Sequence, residues 1–223
     1  MIFDFHTHTF YSDGLNSPIE LIRFAHSNGY SAIAITDHAS PANIDEVIKA
    51  AINDCKIASG NWDIRAIPGV ELTHVPAGSI ADLAKYAKEN GAVIVAVHGE
   101  SIVEPVEPGT NLSAVKCRYV DFLAHPGLIT EETVEIAVKN DVYLELTRRG
   151  GHCLSNGLVA KLGLKFGAKF LVNSDSHSHK DLYKADFQKK VALSAGIPES
   201  EADNMIQKNS NTFLKKISQS FRF

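Results

Sequence analysis

Ile2-Phe3-Asp4-Phe5-His6-Thr7-His8 is an apolar, strand-like run that ends in two histidines. Because side chains two residues apart on a strand point to the same face, both imidazoles can reach one ion. A single His-x-His pair is more often just two partly exposed histidines. Here similar residues follow other apolar runs, in Thr36-Asp37-His38, Gly69-Val70-Glu71, Val97-His98, Ala124-His125 and Asp175-Ser176-His177. This recurrence predicts that the side chains meet at one mouth of one barrel and bind metal there.

Short apolar runs alternate with helical patterns along the chain, which is typical of parallel strands joined by crossover helices. The runs cover residues 2–5, 32–36, 64–70, 92–97, 119–123, 142–146 and 170–173. Seven such units in one domain of residues 1–223 predict a barrel slightly smaller than the usual eight-stranded one, with its chemistry at the carboxyl ends of the strands. An open doubly wound sheet is the alternative, but the Gly-rich loop expected after its first strand is missing.

The intervening segments carry helix start and stop signals. Ser17-Pro18-Ile19-Glu20 combines an N-cap serine, a proline at the first helical position and a glutamate three residues after the cap. Residues 43–46 and 79–82 carry similar start signals, an N-cap residue followed within three positions by an acidic residue. Helices are expected to end near Gly29, Gly60 and Gly91. Residues after about 181 are predicted to form helices that cover the barrel.

Residues 99–118 break the alternation of runs and helices. The stretch contains Glu100, Glu104 and Glu107 together with two prolines. We expect a long polar loop after the fourth strand. Loops of this length in a compact domain are usually functional lids or mobile segments. A surface for a partner protein is the alternative.

Composition excludes several classes of protein. The chain has 223 residues, of which 44% are hydrophobic and 22% charged, and a formal charge of −4, so it provides no basic field for long nucleic acids. No secretory signal precedes the first strand and no apolar stretch approaches the ~18 residues that cross a membrane, so we expect a cytoplasmic protein. Cys55, Cys117 and Cys153 are odd in number and widely spaced, which predicts reduced thiols.

Carboxylates complete the donor set that the histidines begin. A buried glutamate such as Glu71 is costly unless cations pair with it, so Glu71 is suited to bridge two metals. Asp175 and His177 add an oxygen and a nitrogen. Asp13 is either an ordinary turn residue or a ligand of a third ion with His38. Mixed imidazole and carboxylate donors suit zinc, manganese or iron, and ions spaced about 3.5–4 Å apart can promote hydrolysis of phosphate esters.

The chain resembles the PHP (polymerase and histidinol phosphatase) family. The motifs that carry the resemblance are Asp4-Phe5-His6-Thr7-His8 with Ser12-Asp13-Gly14, Ile35-Thr36-Asp37-His38, Pro68-Gly69-Val70-Glu71, His98, Ala124-His125-Pro126-Gly127 and Asn173-Ser174-Asp175-Ser176-His177. They run from residue 4 to residue 177 in the family's order. The resemblance implies an α/β fold, a distorted (β/α)7 TIM-like barrel, with a trinuclear metal site.

In the family's pattern, three groups of side chains would hold up to three divalent ions, manganese, zinc or iron. The groups are His6, His8, Glu71 and Asp175 for the first ion, Glu71, His98 and His125 for the second, and Asp13, His38 and His177 for the third. No ligand position is missing. Completeness matters because some relatives, such as barrel-type ribonuclease P subunits, keep the fold without the ligands.

Residues that contact the substrate are harder to identify. Arg148 and Arg149 follow the sixth strand, and a guanidinium there can clamp a phosphate through two hydrogen bonds. We expect one of the two arginines to face solvent or a neighbouring acid instead. His179 and His152 are candidate proton donors to a leaving group, although lone loop histidines are more often solvated. Asp37 is predicted to orient a neighbouring ligand.

The sequence therefore predicts a metal-dependent hydrolase of phosphate esters, a phosphomonoesterase of the histidinol-phosphatase-like type that acts on a small phosphorylated substrate. A nucleotide phosphatase, a phosphodiesterase or a nuclease is the alternative among enzymes, because the same ion cluster serves phosphodiesters. A noncatalytic, metal-stabilised scaffold subunit is the alternative from another class. The identity of the substrate, the physiological metal and the oligomeric state stay open.

Overall fold

The structure, a computed structural model, describes residues 1–184 and 186–219. The strands are β1 (Ile2–Asp4), β2 (Tyr30–Ile35), β3 (His38–Ala39), β4 (Arg65–Leu72), β5 (Ile94–His98), β6 (Phe122–Ala124), β7 (Tyr143–Thr147) and β8 (Phe170–Asn173). The α-helices are α1 (Pro18–Ser27), α2 (Ile44–Asn61), α3 (Ile80–Glu89), α4 (Thr110–Lys116), α5 (Glu131–Lys139), α6 (Asn156–Phe166), α7 (Phe187–Ser194) and α8 (Glu199–Gln219). Short 3-10 turns cover Ala77–Ser79 and His152–Ser155.

The strands form a nearly closed parallel barrel, as predicted. Seven of them follow the order β1-β2-β4-β5-β6-β7-β8, and the two-residue strand β3 pairs with β4 beside this path. The seam between β1 and β8 is bridged at Thr7 and Ser176. Below that bridge, Gln188 Nε2 of α7 donates to the carbonyls of Phe3 and Val172, both at 2.7 Å. A helix side chain thus links two strand edges that lack a regular ladder, and the distorted (β/α)7 architecture is confirmed.

The C-terminal helix α8 closes the amino-terminal end of the barrel. Phe213 of α8 is fully buried, and its ring lies 4.9 Å from Phe5 and 5.0 Å from Tyr143. Asn209 of the same helix donates to the carbonyl of Phe170, the first residue of β8. The prediction that helices after residue 181 cover the barrel is confirmed. The carboxyl ends of the strands are left for polar side chains.

The first strand is shorter than the predicted run of residues 2–5. Strict alternation would place Phe5 and His6 on opposite faces, yet both point into the barrel, where the His6 ring lies 5.8 Å from Phe122. Regular pairing ends at Asp4, and the Phe5 N–H donates to Asn173 Oδ1 at 3.0 Å instead of to a strand backbone. Because of this break, Phe5 and His6 can both lie in the interior of the barrel.

The predicted starts of α1, α2 and α3 are confirmed, although neither Asn43 nor Ser79 caps its helix through a side-chain hydrogen bond, and one predicted helix end is wrong. Ser17 caps α1 by accepting from the Glu20 N–H, and Gly29 and Gly91 follow helix ends with φ of 79° and 101°. Gly60 does not end a helix, because α2 continues to Asn61. A glycine costs only about 1 kcal/mol inside a helix. The buried apolar face of α2 outweighs that cost.

The predicted loop 99–118 is shorter than expected, because α4 occupies Thr110–Lys116. The irregular part is residues 99–109, which we call the acidic loop. Cys55 and Cys117 are buried and Cys153 is partly exposed, and none of the three is in a disulfide. Across the described ranges, the helices are too short or too polar to cross a membrane.

Candidate metal centre

Polar side chains converge at the carboxyl ends of the strands. The structure brings together all nine residues that the sequence predicts as metal ligands, which are His6, His8, Asp13, His38, Glu71, His98, His125, Asp175 and His177. Strand register explains the convergence. In the ladder, Glu71 of β4 lies opposite His38 of β3 on one side and Ala96 of β5 on the other.

The carboxylate of Glu71 is at the middle of the cluster. Its Oε1 lies 3.3 Å from the Nε2 atoms of both His6 and His125 and 3.5 Å from His98 Nδ1, while Oε2 lies 2.6 Å from His38 Nδ1. Burial alone would raise the pKa of Glu71, but His6, His38 and His98 hold it well below its usual range. Within the described residues, Oε1 has no hydrogen-bond partner. An ionised, central carboxylate of this kind is suited to bridge two cations.

Asp175 supplies the second buried carboxylate. Its Oδ1 lies 3.2 Å from His8 Nε2 and 3.9 Å from His6 Nε2, and its Oδ2 lies 3.7 Å from His125 Nε2. Burial opposes ionisation, yet His6, His8 and His125 lower the pKa of Asp175 well below its usual range. The backbone of Asp175 has a φ of 52°, a conformation that costs a non-glycine residue about 1–3 kcal/mol and that is concentrated at functional sites.

A third group lies nearer to solvent. Asp13 Oδ1 lies 3.5 Å from His38 Nε2, and Asp13 Oδ2 lies 3.1 Å from His177 Nε2. One donor atom from each of Asp13, His38, His177 and His8 lies within 4.8 Å of the others. The structure therefore turns Asp13 inward from its loop.

Asp37 holds that loop in place. It accepts hydrogen bonds from the backbone N–H of Thr9 and the hydroxyl of Ser12, both at 2.6 Å. Its carboxylate thus binds the loop that carries Asp13, which supports the prediction that Asp37 orients a neighbouring ligand.

The donor set fits divalent cations. His6 Nε2 and His8 Nε2 lie only 3.0 Å apart in the buried interior. Two imidazole lone pairs at this distance repel each other unless a proton or a cation lies between them. Ligand bonds of about 2.0–2.2 Å place neighbouring donors about 3.3–3.6 Å apart around a tetrahedral ion, close to the distances around Glu71 and Asp175. Nitrogen and carboxylate oxygen together suit zinc, manganese or iron.

Glu145 is a site residue that the sequence analysis missed. Its Oε1 lies 2.8 Å from His6 Nδ1 and accepts from Asn173 Nδ2 at 2.9 Å, while Oε2 accepts from the backbone N–H of His125 at 2.9 Å. A carboxylate on the far nitrogen of a ligand histidine fixes the ring and its tautomer. The signal was a charged residue inside the apolar strand Tyr143–Thr147.

Glu104 of the acidic loop was also missed. Its carboxylate lies 3.1 Å from His98 Nε2, 3.0 Å from His74 Nε2 and 3.2 Å from His152 Nε2. Burial lowers the pKa of His98, but Glu71 and Glu104 raise it to about 10. Loop conformation brings these residues together, and no regular spacing in the sequence indicates it.

The two arginines that the sequence predicts as substrate ligands make different contacts. Arg148 Nη2 lies 3.7 Å from Asp181 Oδ1, and its guanidinium lies over Phe187. Arg149 is partly exposed and has no ion pair within residues 1–184 and 186–219. Both arginines line a cleft of about 260 Å³ that also contains Asp175.

His179 lies outside the cluster of donors. Its ring stacks on Phe24 of α1 at 4.2 Å, and its backbone N–H donates to Asn16 Oδ1 at 2.8 Å. These contacts place the imidazole against the helix layer. Its role as a proton donor stays a prediction.

A barrel with imidazole and carboxylate donors at its mouth has the architecture of a metal-dependent hydrolase. A model of the PHP domain matches residues 4–104. An uncharacterized protein of Methanocaldococcus jannaschii is 47% identical over 218 residues, which cover 97% of this chain and 100% of that protein. The chain belongs to the PHP-domain family.

More distant similarities agree with this assignment. A probable phosphatase of a Thermoanaerobacter species is 26% identical over 220 residues, covering 89% of this chain and 88% of that protein. The DNA polymerase/3'-5' exonuclease PolX of Bacillus subtilis is 25% identical over 96% of this chain, but only 41% of that protein is covered.

Two chains of solved structures illustrate the shared fold. A chain of archaeal ribonuclease P with mature tRNA superposes with a TM-score of 0.67 at 15% identity, covering 98% of this chain and 93% of that one. A chain from the metal-dependent tyrosine phosphatases of Bacillus subtilis and Streptococcus pneumoniae gives 0.61 at 19% identity, with coverage of 96% and 94%. At these identities the similarity shows the barrel architecture.

Proposed function

We propose that the chain is a phosphomonoesterase of the histidinol-phosphatase-like type, which uses up to three manganese, zinc or iron ions to act on a small phosphorylated substrate. The observation that carries the proposal is the convergence of His6, His8 and His125 on the two buried carboxylates, Glu71 and Asp175. The nine converged residues would hold the ions in the three groups that the family resemblance implies. When bound, such ions activate water as a nucleophile and neutralise the phosphate oxygens.

The chain's own residues have defined tasks in this proposal. Glu145 holds the ring of His6 and the backbone of His125 in place, because its two carboxylate oxygens contact one each. Arg149 binds the phosphate from the 260 Å³ cleft, since its guanidinium is not committed to an acid, as that of Arg148 is to Asp181. A planar guanidinium matches two phosphate oxygens at once.

The dimensions of the mouth support a small substrate. The arginine cleft is about 260 Å³, and a second cleft of about 360 Å³ lies on the other side of the cluster, lined by Asp13, His38, His74 and Glu104 among others. Each is at or below the lower end of the volumes that small-molecule sites usually have, about 300–1,000 Å³. Carboxylates on both sides disfavour a long polyanion.

Turnover by metal-reconstituted protein tests the proposal. The chain is stripped with a chelator, reloaded with manganese, zinc or iron, and assayed on a panel of phosphomonoesters beside a phosphodiester. We expect monoester turnover that requires metal and is lost in His6→Ala. The matched control is His26→Ala, a histidine of α1 outside the cluster. Full turnover by the stripped protein, or none on any monoester, would overturn the proposal.

A phosphodiesterase is the second candidate. Clefts on both sides of the cluster leave room for a substituent on each side of a phosphate, which is what a diester requires. Preferential turnover of the diester in the same assay would favour it over the monoesterase. Metal-loaded protein that is inactive on the whole panel would instead favour a scaffold subunit.

A further inference from the structure

A cavity of about 1080 Å³ lies at the amino-terminal end of the barrel, and it is larger than either cleft beside the metal centre. Its walls come from the start of β2 at Ser31, from the end of α2 at Lys56 and Gly60, and from Arg65, the first residue of β4. Glu71 lies six residues further along β4 than Arg65. A strand rises about 3.3 Å per residue, so about 20 Å separates this cavity from the metal centre.

Hydrogen bonds fix the walls of the cavity. The Ser59 hydroxyl accepts from the Ala66 N–H at 2.9 Å and contacts the Ala66 carbonyl at 3.3 Å, which ties the end of α2 to β4. The Trp62 N–H donates to the Ala58 carbonyl at 2.9 Å, and the Ile64 N–H donates to the Trp62 carbonyl at 2.8 Å. The connection between α2 and β4 is therefore a tight turn that holds Trp62 in one place.

Trp62 gives the cavity an aromatic wall. It is the only tryptophan of the chain, and its side chain is partly buried. Arg23 of α1 lies over the indole, 5.5 Å from the ring centroid, and lines a separate cleft of about 520 Å³ that Trp62 also lines. An indole that stands between two clefts presents surface to each. Flat rings stack on such a surface whatever their exact structure.

Two cationic side chains of the same cavity have no acidic partner among residues 1–184 and 186–219. They are Lys56 of α2 and Arg65 of β4, and both are exposed. Asp63 is the single acid among the described lining residues, so the charged side chains of the lining are positive in sum. A guanidinium matches two oxygens of a phosphate, and an ammonium adds a compact point charge.

A ligand that fits these walls combines a flat ring with an anionic group. We infer that the cavity binds a nucleoside monophosphate, with its base stacked on Trp62 and its phosphate held by Lys56 and Arg65. The volume is at the upper end of the range for small-molecule sites, about 300–1,000 Å³. The site is separate from the metal centre, and the inference does not rest on the proposed phosphatase activity.

Tryptophan fluorescence tests the inference directly, because Trp62 is the only indole in the chain. The holoprotein is titrated with adenosine monophosphate, and the emission is excited where tyrosine and adenine do not absorb. We expect saturable quenching by adenosine monophosphate. Adenosine lacks the phosphate and ribose 5-phosphate lacks the base, so each is expected to bind about 10-fold more weakly.

Variants locate the bound phosphate. Lys56→Ala and Arg65→Ala are each expected to lower the affinity for adenosine monophosphate about 10-fold, as loss of a hydrogen bond to a charged group does. Lys49→Ala removes an exposed lysine of α2 outside the cavity and is expected to keep the wild-type affinity. Thermal melts verify that the variants fold.

The same titration in His6→Ala separates this cavity from the metal centre, and there we expect the wild-type affinity. Loss of quenching in His6→Ala would place the nucleotide at the metal centre and overturn the inference. Absence of saturable quenching in the wild type would also overturn it, as would wild-type affinity in both Lys56→Ala and Arg65→Ala. Equal affinities for adenosine monophosphate and ribose 5-phosphate would show that Trp62 recognises no base.

Discussion

Glu145 Oε1 lies 2.8 Å from His6 Nδ1, and both side chains are fully buried inside the barrel. With its proton on Nδ1, His6 directs the lone pair of Nε2 toward Glu71, 3.3 Å away. The other oxygen of Glu145 accepts from the backbone N–H of His125. One carboxylate of β7 thereby sets the orientation of donors that follow β1 and β6.

Replacing Glu145 by glutamine is expected to weaken metal binding 10- to 100-fold, which is typical for loss of a partner behind a ligand histidine. The amide has nearly the same shape, but it lacks the charge and one of the two acceptor oxygens. Competition with a coloured chelator measures the affinity. Glu135→Gln on the exposed face of α5 is the control. Equal affinities of the two variants would show that Glu145 does not orient the ligands.

Arg149→Ala is expected to lower kcat/KM for a phosphomonoester about 10- to 100-fold, because a hydrogen bond to a charged group contributes about 1.5–3 kcal/mol. Arg149→Lys restores the charge without the planar fork and is expected to recover only part of the loss. Steady-state kinetics on both variants measures the effect. If Arg148→Ala is impaired more than Arg149→Ala, the assignment of the phosphate anchor is reversed.

The sequence predicts much of the site because the carboxyl ends of parallel strands meet. Apolar runs that end in His38, Glu71 or His98 are local patterns, and parallel pairing brings them to one mouth whatever the loops do. The same rule explains why the predicted strand boundaries differ from the observed ones by only a few residues. Glu71, for example, lies inside β4 rather than after it.

What the sequence does not predict depends on side-chain direction and loop conformation. Glu145 is one charged residue in an apolar strand, and only the barrel shows that it faces His6. Glu104 reaches His98 because the acidic loop folds back on hydrogen bonds from backbone groups distant in sequence. A strict two-residue period does not predict the break after Asp4, because the Phe5 N–H donates to the side chain of Asn173 instead of to a neighbouring strand.

Gly127→Ala is expected to destabilise the fold by at least about 2 kcal/mol, or about 4–8 °C in Tm. Gly127 has a φ of 62°, and a Cβ there would lie 1.8 Å from the carbonyl oxygen of Glu100. The acidic loop would have to move away from the segment that follows β6. Thermal unfolding followed by circular dichroism measures the shift.

Gly157→Ala provides the matched control for that substitution. Gly157 lies in α6, where a Cβ meets no atom within 4 Å, so alanine is expected to be neutral or to stabilise by about 0.5–1 kcal/mol. Similar melting temperatures for Gly127→Ala and Gly157→Ala would contradict the close approach of residues 127 and 100.

Metal removal is expected to lower the melting temperature of the chain. Ions that bind only the folded state stabilise it by about 2.7 kcal/mol at 100 times Kd, which corresponds to about 5–10 °C for a chain of this size. Differential scanning calorimetry of chelated and reloaded protein measures the difference. In Asp175→Asn the increment on reloading is expected to shrink, because a buried carboxylate that faces His6 and His8 is replaced by a neutral amide. An equal increment in Asp175→Asn and in the wild type would mean that the ions stabilise the protein from somewhere other than this cluster.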